Sequence, residues 1–387
     1  MGKLHSMRVL ISAGGTAGHV LPALAVLKAL MSERGTASFD SPRVFAAASE
    51  PTPVEALFVG ESDGMERALV EREGLRFEAI HAGALNGVGL LRSIVGVLRL
   101  VRGLFEAWRV LGRFRPDVVL LTGGFVGVPV AVAAWLRRIP SLVYLPDIEP
   151  GLALRLMVHF AERVATTTEA SARYIPAQKM VVTGYPVRAA FAGADRMESR
   201  LRLGFPDDHL VLLVYGGSRG AQSINRAVVA GIEKLASRCV VVQVTGASGW
   251  KEVADAYALA SEVVRTNWRV YEYLHEEMVD VMAAADLAVC RSGASVLGEL
   301  PCLGLPAVLV PYPYAWRFQK VNAQYLVEYG AALMLEDHML AENLVDRVLA
   351  LLGDADALAA MRTASQSAAR RDGAVRIAQH VREIIRD

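Results

Sequence analysis

What the chain lacks narrows the field before any motif is read. No run of eighteen uncharged apolar residues occurs, although 53% of its 387 residues are hydrophobic and its mean hydropathy is +0.32. A bilayer-spanning helix is not expected, which leaves a protein in solution or on a membrane surface. Neither sign of charge is in excess: 41 Lys and Arg against 40 Asp and Glu leave +1. A dedicated nucleic-acid binder would be strongly basic, so no nucleic-acid partner is expected. Only three cysteines occur, Cys239, Cys290 and Cys302, without CxxC spacing. They read as reduced core thiols, not as a disulfide framework or a metal site. The opening MGKLHSMRVLISAGG has no signal-peptide pattern, since its apolar run is a short strand ending in glycines. The cytoplasm is the default compartment.

What is present is an alternation. Apolar runs of strand length stand at 8–15, 56–60, 117–124, 141–146, 163–168, 209–217, 239–246, 268–274, 287–293 and 307–313, with helix-length segments between them. Continuous Val, Ile and Leu mark strands buried on both faces, and the fold class is α/β with parallel sheets. The pattern breaks at FAGADRMESRLRLGFPDDH (191–209), after which a fresh strand and glycine turn begin. This places domains at 1–192 and 193–387, with the last helix a candidate to pack back on the first. Each half opens alike, strand then Gly-Gly then helix, at 14–30 and 216–232. Two Rossmann-like domains are expected, with a cleft between the carboxyl ends of their sheets as the active site. Most of 31–55 reads as a surface loop.

Glycine turns at 14–18, 123–127 and 216–220 follow strands. Such turns bring backbone N–H groups to a phosphate at a helix N-terminus, or simply provide tight βα geometry. None is a Walker loop, and none is an intact GxGxxG with an acidic partner on the next strand. Their recurrence in both halves is the informative part. His19 stands in the first turn of its helix, as a general base or anion contact, or as a cap. In CRSGASVLGEL (290–300), Arg291, Ser292 and Gly293 sit at a strand end, and Glu299 lies about two helical turns on. A carboxylate there suits a ribose diol, though a solvent-facing helix residue reads the same. Arg317, Gln319 and Asn322 in PYPYAWRFQKVNAQ (311–324) suit sugar hydroxyls or plain loop polarity. Along 92–115, six arginines stand against Glu106 alone. Arg92, Arg99, Arg102, Arg109 and Arg113 share an arc opposite Val97, Val101, Leu104, Trp108 and Leu111. The segment is either an ordinary core helix or a basic amphipathic surface for anionic lipid.

Together these segments resemble the MurG family of glycosyltransferase family 28, the UDP-N-acetylglucosamine transferases that convert lipid I, undecaprenyl-pyrophosphoryl-MurNAc-pentapeptide, to lipid II in peptidoglycan synthesis. The likeness covers nearly the whole chain: GGTAGHVLPALA (14–25), TGGFVGVPVAVAAW (122–135), TGYPVR (183–188), GGSRGAQSIN (216–225), CRSGASVLGEL (290–300) and PYPYAWRFQKVNA (311–323). The resemblance implies a GT-B fold and an inverting transfer, in which the 4-hydroxyl of MurNAc attacks C1 of GlcNAc and UDP leaves. By matching positions, His19 is the candidate base. Gly14, Gly15, Thr16, Gly18, Gly123, Gly124, Phe125 and Asp147 would face the acceptor and its pyrophosphate. Arg188, Ser218, Gly220, Leu274, Arg291, Ser292, Gly293, Ala294, Glu299, Gln319 and Asn322 would serve the UDP-GlcNAc donor, with Glu299 on the uridine ribose. No metal site is implied and no cofactor is required, a divalent ion at most assisting. The implied place is the cytoplasmic face of the cell membrane, reached through the basic segment 90–114.

Three departures stand out. Tyr144, Leu145, Pro146 and Asp147 replace the family's usual His-Glu-Gln-Asn before Pro150 and Gly151, leaving Asp147 or Glu149 to stand in for its glutamate. Phe125 replaces a usual tyrosine, and Phe318 replaces the first residue of a Gln-Gln or His-Gln pair. Rival readings are a GT-B enzyme acting on diacylglycerol or a secondary metabolite, a nucleotide-dependent oxidoreductase, and a non-catalytic UDP-sugar-binding module. The oxidoreductase lacks its acidic strand-end residue after GGTAGH.

Overall fold

The computed structural model describes residues 6–15, 17–32, 53–62, 64, 66–83, 90–206, 209–217, 220–314 and 318–386. The chain forms two compact units, Met1–Arg188 with Asp372–Asp387, and Ala189–Arg371. Where the sequence reading divides the chain at 192/193, the contacts divide it at 188/189 and count the terminal segment with the first unit.

In the first unit the elements run β1 (Met7–Ala13), α1 (Ala17–Met31), β2 (Val54–Glu61), α2 (Glu66–Arg72), β3 (Arg76–Ile80), α3 (Leu90–Phe114), β4 (Val118–Gly123), α4 (Gly127–Leu136), β5 (Ser141–Leu145), α5 (Leu152–Phe160), β6 (Arg163–Thr166) and β7 (Met180–Val182). All pairings are parallel, in the order β3-β2-β1-β4-β5-β6-β7. Helices cover the sheet, so Val9, Leu10 and Ile11 have no exposure at all.

The second unit runs α6 (Ala189–Ala192), α7 (Arg196–Leu203), β8 (Val211–Tyr215), α8 (Gln222–Ala230), α9 (Ile232–Ala236), β9 (Val240–Val244), α10 (Trp250–Leu259), α11 (Glu262–Asn267), β10 (Trp268–Tyr271), α12 (Glu277–Ala284), β11 (Leu287–Cys290), α13 (Glu299–Leu303), β12 (Ala307–Leu309), α14 (Phe318–Glu328), β13 (Ala332–Met334), α15 (Leu340–Leu352) and α16 (Ala355–Ser367). Its parallel order is β10-β9-β8-β11-β12-β13. The last helix, α17 (Gly373–Arg386), packs on α1: Ile377, Ala378 and Val381 are buried, and Arg382 donates to Leu30 O at 2.9 Å.

Both sheets reverse their strand order beside the first strand of the unit, between β1 and β4 and between β8 and β11. Ligands of open α/β sheets bind at the carboxyl ends of strands at such a reversal. Each of the ten expected strand runs contains one. The edge strands β3, β7 and β13 were not anticipated, and neither was the start of β2 inside the presumed 31–55 loop, most of which lies outside the described residues.

The apolar face expected on α3 is divided. Leu111 is buried and Leu104 packs against the core, but Val101 and Trp108 are exposed; the side chains of Arg92 and Val97 lie outside the described residues.

At the amino ends of β8 and β11, opposite the reversal point, one carboxylate organises the second unit. Asp286 accepts from Val211 N (2.9 Å), from Arg196 Nη2 (2.6 Å) and from the nearly buried Arg200 (3.4 Å), joining α7 to two strand starts. Removing one partner from a buried ion pair leaves charge without compensation, so Asp286→Ala is expected to cost about 3–5 kcal/mol, read as a lower denaturation midpoint. Unchanged unfolding would refute that assignment. The three thiols are free and buried, and burial pushes Cys239 and Cys290 up to about 12. Raised folded-state values mean that the unfolded chain loses these protons first. The thiol contribution is therefore intact below about pH 8.5 and lost as pH rises towards 12, by up to about 1.4 kcal/mol per pH unit for each thiol. Cys→Ala variants at 239 and 290 should flatten the alkaline fall in a pH series of urea melts.

Candidate active site

At the reversal in the first sheet, two glycine turns meet backbone to backbone. Gly14 N–H donates to Gly123 O at 3.2 Å, and a Cβ on Gly124 would stand 2.6 Å from Gly14 O. Gly123 and Gly124 have φ of 137° and 82°, a region that only glycine enters without strain. A Cβ on Gly123 would also lie 2.5 Å from the His19 ring, so this position needs glycine for conformation and for space. His19 is half-buried in the first turn of α1, with Nδ1 2.9 Å from Gly14 O. A carbonyl only accepts, so Nδ1 carries the hydrogen and the neutral ring has its lone pair on Nε2. Thr122, at the end of β4, donates to His19 O at 2.7 Å and fixes the start of the helix.

The structure thus gathers Gly14, Gly15, Gly18, His19, Gly123, Gly124 and Phe125 at one point, with Gly15 exposed and Phe125 half-buried against the core. Thr16 lies outside the described residues. In the altered 144–149 segment the candidates separate. Glu149 is buried and accepts from Arg155 (3.0 Å) and Tyr174 (3.3 Å), which makes it a poor stand-in for the missing glutamate. Asp147, half-buried just beyond β5, is the acidic group left near the strand end. Tyr144 is wholly interior, its hydroxyl 2.8 Å from Thr167 Oγ1. Burial, with the Asp147 charge adding to it, pushes its phenol well above the usual range.

At the second reversal, β8 ends at Tyr215 and β11 at Cys290, directly paired in register. Gly220 has φ 80° and leaves no room for a Cβ, which would stand 2.1 Å from Thr245 O. Gly293, with open space around it, precedes a 3-10 turn at Ala294–Leu297. Glu299 is then the first residue of α13, half-buried, and not the second turn of a continuous helix as its spacing suggests. Burial, with Cys290 and Glu299 adding to it, pushes the Tyr215 phenol well above its usual range, which places Glu299 close to this strand end.

Three residues expected to touch the donor make contacts within the protein. Ser292 is fully buried, hydroxyl included. Asn322 is also buried and donates from Nδ2 to Ser292 O at 3.2 Å. Arg291 donates to Asp337 (2.5 Å), Ser223 (2.8 Å) and Val310 O (3.3 Å), and stacks over Tyr312. Asn322 and Arg291 thus pair internally, whereas the buried Ser292 hydroxyl has no hydrogen-bond partner among the described residues, and sequence distinguishes neither from a ligand contact. Gln319 remains partly exposed and accepts from Tyr312 N at 2.9 Å. Leu274, Ala294 and Arg188 are half-buried, whereas Ser218 and Arg317 lie outside the described residues. Sequence reasoning missed Asp337 and Glu66, the latter fully buried beside Gly14. The one signal for Glu66, an acidic residue in the first turn of a helix, is too common to single it out. Among the described residues no three His, Cys, Asp or Glu side chains converge as a metal set, and no helix is long and apolar enough to cross a membrane.

The sequence profile of the glycosyltransferase family 28 N-terminal domain matches residues 48–166, and that of the family 28 C-terminal domain matches 211–377. A protein of Roseiflexus sp. (strain RS-1), named UDP-N-acetylglucosamine--N-acetylmuramyl-(pentapeptide) pyrophosphoryl-undecaprenol N-acetylglucosamine transferase, is 39% identical over 97% of this chain and 94% of its own. One from Desulforudis audaxviator (strain MP104C), with the same name, is 39% identical over 93% and 94%. Among solved structures, MurG of Acinetobacter baumannii superposes with a TM-score of 0.75 over 97% of this chain and 99% of that one, at 24% identity. At that identity the superposition speaks for the GT-B fold alone. Matching both family domains in order, and relatives of this name along nearly its whole length, the chain belongs to glycosyltransferase family 28, in its MurG branch.

Proposed function

We propose that the chain transfers GlcNAc from UDP-GlcNAc to the 4-hydroxyl of MurNAc in lipid I, giving lipid II with inversion at C1. The observation that carries this reading is the pair of glycine-lined reversal points, one in each unit, joined to near-full-length likeness to transferases of that name. That likeness also disfavours a diacylglycerol acceptor and an oxidoreductase. In the first unit, His19 takes the proton of the attacking hydroxyl on Nε2, because Nδ1 is committed to Gly14 O. The turns of Gly14 and Gly123 offer backbone to the acceptor pyrophosphate, with Asp147 beside them. As the C1–O bond breaks, the electron pair stays with UDP. Arg188 and the turn at 216–220 offset that charge, so no resident metal is needed. Glu299 holds the ribose, Gln319 the GlcNAc hydroxyls, and the main chain at Leu274 the uracil. Arg291, Ser292 and Asn322 keep Gly293 and Ala294 in place for the donor.

We further propose that the chain works on the cytoplasmic face of the membrane through α3. Leu98, Val101, Phe105 and Trp108 are exposed on this helix, and Trp135 and Leu136 are exposed at the end of α4, which packs against it. Arg99, Arg102, Arg109 and Arg113 flank them in solvent, and Arg137 stacks over Trp108 at 3.9 Å. Apolar side chains ringed by arginines suit the boundary between acyl chains and anionic headgroups.

The first test is transfer from radiolabelled UDP-GlcNAc to a short-chain lipid I analogue, in EDTA, beside diacylglycerol. Labelled lipid II product is expected. His19→Ala should lower kcat about a hundredfold or more with KM for UDP-GlcNAc little changed, and Glu299→Ala should raise that KM about tenfold. Turnover near wild type in the histidine variant would remove His19 as base, and an inert lipid I would remove the acceptor assignment. For the membrane, the paired change Leu98→Ser and Phe105→Ser removes about 1.5–3 kcal/mol of apolar burial per residue. It should weaken sedimentation with phosphatidylglycerol vesicles more than tenfold while leaving transfer to the soluble analogue unchanged. Undiminished sedimentation would show that another surface makes the contact.

A further inference from the structure

Behind the turn of Gly14 and Gly15 lies a carboxylate that no motif marks. Glu66, the first residue of α2, is fully buried. Its Oε1 accepts from Glu61 N at 2.8 Å, which ties the end of β2 to the start of α2, while Oε2 is buried without a hydrogen-bond partner. An interior carboxylate oxygen left unanswered is costly and asks for a reason.

Three glycines from separate positions make room for this one side chain. A Cβ on Gly14 would stand 3.0 Å from Oε1, one on Gly60 would stand 2.8 Å from Cγ, and one on Gly64 would stand 2.3 Å from the carboxyl group. None of the three has a left-handed φ. Their backbones would accept any residue, so what glycine supplies there is volume. On its other side Gly14 meets Val126, whose Cγ1 would be 2.8 Å from the same Cβ, and Gly124 stands against its carbonyl. Gly14 is therefore held between Glu66 on the β2 side and the β4 turn. Its carbonyl is the group that accepts from His19 Nδ1.

We infer that Glu66 is a positioning residue for the transfer: wedged behind Gly14, its carboxylate sets where the Gly14 carbonyl stands and so where His19 presents Nε2. The inference rests on His19 acting as the base. Contact with substrate is not involved; the effect passes through the wall of the turn and one hydrogen bond. Misplacing a catalytic group by about 1 Å costs on the order of a hundredfold in rate, so a wedge of this kind is worth conserving volume for at three positions.

The test compares Glu66→Asp with Glu66→Gln in the full chain. Both keep an acceptor for Glu61 N–H, but only the aspartate withdraws it from Gly14, by one methylene. Glu66→Asp is expected to lower kcat for the lipid I analogue about tenfold or more, with KM for UDP-GlcNAc within about twofold, while Glu66→Gln restores kcat to within about threefold of wild type. Activity is counted per folded molecule from thermal melts. If Glu66→Asp does not fold, Gly60→Ala pushes the same side chain from the other side, and the same split between kcat and KM is expected. Wild-type turnover per folded molecule in these variants overturns the inference and leaves the catalytic reading intact. Failure of the wild-type chain to use lipid I, seen before any variant is made, overturns both.

Discussion

No side chain fits where β1 and β4 release their turns, and the first unit is built around that exclusion. Gly14 touches Gly123 and Gly124 through backbone atoms, and His19 occupies the volume that a Cβ on Gly123 would need. Close backbone approach does two things at once. It leaves N–H groups and a helix start at the mouth of the sheet, where an anion is best received, and it orients an imidazole through a carbonyl that cannot donate. Among the described residues of the second unit the glycines do not meet in this way, and buried polar residues hold the turns after β11: Asn322 on Ser292 O, Arg291 on Asp337. The Asp286 cluster secures the amino ends of β8 and β11, the end of that sheet opposite its glycine turns.

The fold was largely legible because parallel strands covered on both faces must be apolar throughout. Val9, Leu10 and Ile11 announce β1 without context, whereas β3, with the partly exposed RFEAI, and three-residue strands such as β7 and β13 carry no comparable signal. Edge strands answer to one neighbour only, and their residues need not be buried. The glycine turns were equally visible, though sequence cannot say why each glycine is there. Gly123 answers to backbone conformation, while Gly60 and Gly64 answer to the volume of Glu66.

The site was legible as a place more than as a set of contacts. A polar residue beside a glycine turn looks the same in a string of letters whether it meets a ligand or another turn; Asn322 and Arg291 do bond to neighbouring segments, and the Ser292 hydroxyl is buried without a partner among the described residues. Helix α3 shows the same ambiguity. One period of apolar residues feeds both an interior face, through Ala107 and Leu111, and an exterior one, through Val101 and Phe105. A helix of 25 residues is long enough to serve two surroundings, and periodicity alone does not apportion its residues between them.

The placement of α17 also bears on how the protein is made. Leu30 and Arg382 form one hydrogen bond across 352 positions, and Arg163 reaches Glu383 at 2.6 Å. During synthesis α1 emerges before the second unit, and the helix that covers it emerges after that unit. The second unit lies wholly inside that interval, so it can close while the first still waits for its final helix. A nascent chain halted between residues 371 and 373 would hold a complete second unit and a first unit whose α1 still lacks the apolar face of α17.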